Sequence, residues 1–77
     1  MNRLDTETYD LRGLKCPLPV LKTKKRLASM ATGATLAVET SDPLAAIDIP
    51  HFCAEYRHTL LESAKTGDGH RFVIRKG

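Results

Sequence analysis

The chain has 77 residues, room for one domain over 1–77, and a domain of that size buries only about 60–65% of its unfolded surface. A net charge of +3, from 12 Lys and Arg against 9 Asp and Glu, permits contact with nucleic acid or an acidic surface but demands neither. Two cysteines do not make the disulfide scaffold of a small secreted domain, "MNRLDTETYD" is no signal peptide, and no run approaches the ~18 apolar residues of a membrane span; a cytoplasmic protein with reduced thiols is expected.

Residues 1–7 read as a loose start. "TYDLRG" alternates, with Tyr9 and Leu11 to one side and Asp10 and Arg12 to the other, as a short strand closed by Gly13 does. From Pro17 to about Ala31 the pattern is helical, with Pro17 at the first helical position and Gly33 as the C′ residue. Val20, Leu27, Ala28 and Ala31 then share a face, opposite Lys22, Lys25, Arg26 and Ser29. Lys24 falls inside the apolar arc, where its stem packs and its ammonium snorkels outward.

"ATLAVET" is a second strand, with Leu36 and Val38 pointing one way and Ala37 and Glu39 the other. "SDPLAAIDIPHFCAEY" carries two helix starts, one capped by Ser41 or Asp42 before Pro43, one capped by Asp48 before Pro50, so a broken helix is predicted. Ile49, Phe52, Cys53 and Tyr56 form its core stripe. Thr59–Lys65 runs as a strand, "TGDG" turns, and "HRFVIRKG" returns with Phe72 and Ile74 inward. The order is β-α-β-α-β-β: a parallel first pair, a closing antiparallel hairpin, and two helices on one face of a mixed four-stranded sheet, a two-layer α/β sandwich.

Cys16 precedes two prolines, Pro17 and Pro19, at the mouth of the first helix. The prolines stiffen the junction, while Leu18 and Val20 keep backbone donors in the first turn; Pro19 disfavours the α region at Leu18, so a tight first turn is predicted. A helix N-terminus lowers a thiol's pKa, and Arg12 and Lys15 are placed to add positive potential. Cys16 is thus the candidate nucleophile, with Pro17, Leu18, Pro19 and Val20 shaping the site. Cys53, on the apolar stripe, reads as inert core; its functional alternative is a thiol that resolves Cys16 as a disulfide.

At these residues the sequence resembles the TusA/SirA family of small bacterial sulfur-carrier proteins. The matching stretches are "DLRGLKCPLPVLKTKK", "VETSDPLAAIDIPHFC", the following His-Thr-Leu-Leu and the closing "FVIRKG". The resemblance implies a two-layer sandwich of the kind seen in the C-terminal domain of bacterial translation initiation factor three. It implies a sulfurtransferase in which Cys16 holds sulfane sulfur as a persulfide, loaded by a cysteine desulfurase or rhodanese-like donor and unloaded to an acceptor protein. The best-known endpoint is the 2-thio group of wobble uridine in tRNA; other branches serve molybdenum-cofactor enzymes or sulfur oxidation. A monomer with no metal or organic cofactor and no direct nucleic-acid contact is implied. One departure stands out: family members often have Gly before the His that aligns with His58, and here Arg57 stands there, at a cost of order 1 kcal/mol if its φ is positive.

Three rival readings are weaker. Cys53 and His58 lack the paired spacing of a zinc site, and His51 and Cys53 fall on different sides of a helix. A thiol–disulfide redox protein would carry a second cysteine where Pro19 stands. A basic nucleic-acid-binding or regulatory module would use Lys22–Arg26 with Arg71, Arg75 and Lys76, but the aromatics needed for base stacking are few.

Overall fold

The computed structural model describes residues 6–77. The expected loose start lies mostly outside the described residues, and Glu7 already belongs to a strand. The elements are β1 (Glu7–Asp10), α1 (Leu18–Ala28), β2 (Thr35–Thr40), α2 (Ala45–Glu55), β3 (Thr59–Thr66) and β4 (Gly69–Arg75). The sheet order is β1-β2-β4-β3. β1 lies parallel to β2, with Glu7 opposite Leu36 and Asp10 opposite Glu39. β4 runs antiparallel to both its neighbours. This is the expected mixed four-stranded sheet in a two-layer α/β fold.

The layer interface follows from strand alternation. Leu36 and Val38 of β2 lie opposite Ile74 and Phe72 of β4, and all four are fully buried. Leu27 of α1 and Ile49, Phe52 and Cys53 of α2 close over them. Ala37 points to the other face, as expected, yet is also fully buried. It is a small residue on a central strand, flanked by Thr8 and Val73.

α1 departs from the sequence expectation at both ends. Pro17 is its N-cap and Pro19 sits in the first turn, so the helix starts one residue later than read and Cys16 lies just outside it. The predicted tight entrance is present: the Leu18 N–H donates to the Lys15 carbonyl (2.8 Å) before the Leu21 N–H makes the first i→i−4 bond, to Pro17 (3.1 Å). At the far end the helix stops at Ala28, not Ala31. Ser29 Oγ bonds the Arg26 carbonyl (2.8 Å) and accepts from the Arg26 guanidinium (2.7 Å), so a side chain competes with the next helical turn. Gly33 is therefore not the C′ residue. It has φ +92° in the turn before β2, where its N–H donates to the Lys76 carbonyl (2.9 Å). The buried stripe is Pro19, Thr23 and Leu27, while Val20 is half-buried and Ala28 and Ala31 are exposed.

α2 is one continuous helix through Pro50, which corrects the predicted break. The proline withholds one N–H, but Ala45 and Ile49 before it and Phe52 and Cys53 after it are all buried in the same core. That burial holds the axis on both sides. Asp48 consequently caps nothing: it lies in the first turn of α2, with its carboxylate available to another partner. Asp42 does begin the helix approach, accepting the Leu44 N–H on Oδ1 (3.1 Å).

α2 ends in a Schellman motif. The His58 N–H donates to the Cys53 carbonyl (2.9 Å), and Arg57 occupies the left-handed position with φ 63°. The "TGDG" hairpin turns at Gly67 and Asp68, with Gly67 at φ +45°.

Candidate active site

Parallel pairing of β1 and β2 brings the loops after both strands to the same end of the sheet. Side chains of the second loop tie down the first. The Gly13 N–H donates to Ser41 Oγ (2.8 Å) and the Cys16 N–H to Asp42 Oδ2 (2.6 Å). The peptide between Cys16 and Pro17 is cis. Held in this way, Cys16 is exposed at the mouth of α1, whereas Cys53 is buried; both are free thiols. Burial pushes the Cys53 thiol up to about 11.

The electrostatics around Cys16 reverse the sequence expectation. Its thiol donates to Asp48 Oδ2 (2.9 Å). That hydrogen bond raises the thiol pKa above its ordinary value, with partial desolvation and the charges of Asp48 and Asp42 adding to it. The cations expected to oppose this are engaged elsewhere. Arg12 makes a two-pronged ion pair with Asp10 (Nε to Oδ1 2.9 Å, guanidinium to Oδ2 3.0 Å) and approaches Glu39 (4.0 Å), holding the Asp10 carboxyl down to about 2. Lys15 lies with Ser41 and Asp42 along a neighbouring recess, where its charge favours the Asp42 carboxylate. The Leu18 N–H, one of the two donors expected to be available in the first turn, is spent on the Lys15 carbonyl.

Beside Cys16 an open groove of about 350 Å³ runs between α1 and α2. Val20 and Leu21 form one wall, Phe52 and Tyr56 the other, and Pro17 lies beside the cysteine. Tyr56, expected in the core, is 45% exposed because it stands past the last turn of α2 on the groove rim. Its ring lies 5.2 Å from that of Phe52. Lys24 reaches across, donating to the Tyr56 hydroxyl (3.1 Å) with its ammonium 4.6 Å from the ring centroid. The stem of Lys24 thus belongs to the groove, and its charge is satisfied by an aromatic.

The expected site residues Cys16, Pro17 and Val20 come together on this groove, while Pro19 is buried in the core stripe of α1 and Leu18 is exposed, neither lining it. Sequence reasoning misses Asp42, Asp48 and Tyr56 as site residues, the first two because each reads as a helix cap. The signal available is topological: in a parallel βαβ unit the residues following β2 must lie beside those following β1. The basic run is partly consumed, since Arg26 pairs with Glu7 and Lys24 with Tyr56.

The structure is thus a two-layer β-α-β-α-β-β domain that presents one exposed, loop-clamped thiol at the mouth of its first helix. The family model described as Sulfurtransferase TusA matches residues 7–76. A SirA-like protein from Desulfitobacterium hafniense has a similar crystal structure, with a TM-score of 0.83 and 22% sequence identity over 94% of this chain and 99% of that one. The chain belongs to the TusA family of sulfurtransferases.

Proposed function

We propose that the protein is a persulfide carrier that relays sulfane sulfur on Cys16 from a cysteine desulfurase or rhodanese-like donor to an acceptor protein, in the formation of 2-thiouridine in tRNA. The observation that carries this reading is the asymmetry of its two thiols: Cys16 is exposed on an open groove and Cys53 is sealed in the core. In loading, Cys16 Sγ attacks the terminal sulfur of the donor's persulfide. A new Sγ–S bond forms, the donor's S–S bond breaks, and the donor cysteine leaves as a thiolate that takes up the Cys16 proton. In unloading, an acceptor nucleophile takes the terminal sulfur and Cys16 is the leaving thiolate. No organic cofactor enters either step.

The same reading puts the protein in the cytoplasm, where its donors work, and among the described residues no helix is long and apolar enough to cross a membrane. Incubation with a desulfurase and cysteine is expected to add one sulfur, about 32 Da, to Cys16. Cys16→Ser abolishes that adduct and Cys53→Ser largely spares it; sulfur uptake by the Cys16→Ser protein would overturn the mechanism. Loss of tRNA 2-thiouridine in cells lacking the protein, restored by the wild type and not by Cys16→Ser, tests the pathway.

A further inference from the structure

We propose that Asp48 is a specificity determinant of sulfur exchange: its carboxylate holds the Cys16 proton in the free protein and so confines reaction to partners that neutralise or displace it. This rests on the carrier reading above and concerns how the same sulfur is controlled.

Cys16 Sγ donates to Asp48 Oδ2 at 2.9 Å, and Asp42 Oδ2 takes the Cys16 backbone N–H at 2.6 Å. Two carboxylates from two different parts of the chain therefore converge on one cysteine. The other charged and titratable groups around it come from three places. The β1–α1 loop contributes Lys15, whose charge acts on Asp42. α1 contributes Lys24, bonded to Tyr56 across the groove. α2 contributes Asp48 itself, with His51 and Glu55 on the groove and 4.0 Å apart. No cation contacts the thiol among the described residues, and the nearest hydrogen-bond acceptor is an anion.

A hydrogen bond from a thiol to a carboxylate favours the protonated thiol, and the thiol is the poor nucleophile. An exposed carrier cysteine in this state resists small electrophiles and small persulfides in solution. A docking protein that brings a Lys, Arg or His⁺ to Asp48, or turns the carboxylate aside, lifts the restraint. The Cys16 proton then passes to the departing donor thiolate as the Sγ–S bond forms.

The test is the pH profile of Cys16 alkylation by iodoacetamide in the free protein, read by mass spectrometry of the Cys16 peptide. Sγ displaces iodide and its proton goes to solvent. In the wild type the half-point is expected above the ordinary thiol value of about 8.5. Asp48→Asn, which removes the charge and keeps the shape, moves it down. Each tenfold gain in thiolate brings about a threefold loss of nucleophilicity, so alkylation near neutral pH speeds up by about threefold for every such gain. At a pH high enough to ionise the thiol fully in both proteins, the variant is the slower of the two and the profiles cross. A structural defect alone would not produce that crossing. A wild-type half-point at or below the ordinary thiol value, or an Asp48→Asn profile that superimposes on the wild type, overturns the proposal. The outcome is independent of sulfur carriage: failure of desulfurase loading with a raised, Asp48-dependent profile would remove the carrier reading and leave the proton-holding role standing.

Discussion

Arg57 is the one residue other than glycine with positive φ among the described residues, and it closes α2 in the place where glycine normally sits. A side chain there costs of order 1 kcal/mol, so Arg57→Gly is expected to raise stability by about 1 kcal/mol, seen as a higher urea midpoint at unchanged m-value. The position is legible in the sequence, because the family resemblance makes the missing glycine conspicuous. The placement of Cys16 is legible too: a thiol before Pro-x-Pro reads as a residue at a helix start, and the structure leaves it exposed just outside α1. Its protonation is not. Helix position argues for a depressed thiol pKa, and a single carboxylate from residue 48 reverses the sign. Contacts across 32 positions leave no trace in local pattern.

At the scale of elements, β2, β3 and β4 are legible to within a residue or two, whereas β1 runs from Glu7 to Asp10 rather than on to Gly13, and a bulge between Leu60 and Glu62 in β3 leaves no mark in the local alternation. The helices are less so. In α1, Thr23 counts as polar by composition, which rotates the inferred face; in the structure Thr23 is fully buried between Pro19 and Leu27. In α2, the local preference of a proline loses to four buried side chains. The backbones approach closely where the start of β4 meets the end of β2. A Cβ at Gly69 would lie 2.0 Å from the Thr40 carbonyl oxygen, a backbone atom that cannot move without opening the sheet. Gly69→Ala is therefore expected to cost about 3 kcal/mol, at the upper end for overpacking, with a lowered urea midpoint and fast amide exchange in β4.

For the molecule as a whole, the loops at the sulfur end are bound together by the Ser41 hydroxyl and the Asp42 carboxylate, and the carboxylate makes the tie depend on pH. Asp42 accepts from both Cys16 and Leu44, and those two N–H groups hold its carboxyl below the usual carboxylate range. The folded state thus gives up this proton more readily than the unfolded chain. The resulting stability is full above the unfolded value of 3.8 and is lost as pH falls through the lower folded value. Asp10, held near 2 by Arg12, extends the same decline to lower pH. Urea titrations at about pH 5 and about pH 2.5 should show a smaller loss for Asp42→Asn than for the wild type, the variant starting from a lower midpoint.

Thr6 meets Thr35 at the start of β2 through their hydroxyls (2.7 Å), and Lys76 exchanges backbone hydrogen bonds with Gly33 and Ala34 just before that strand. Thr6 and Lys76 therefore both lie at the strand end of the sheet remote from Cys16, which stands beyond the other end of β1 and β2. A tether or a fused domain joined after Lys76 would leave from the far side of the sheet, so the protein can be immobilised or linked there with the Cys16 thiol still open to reagents.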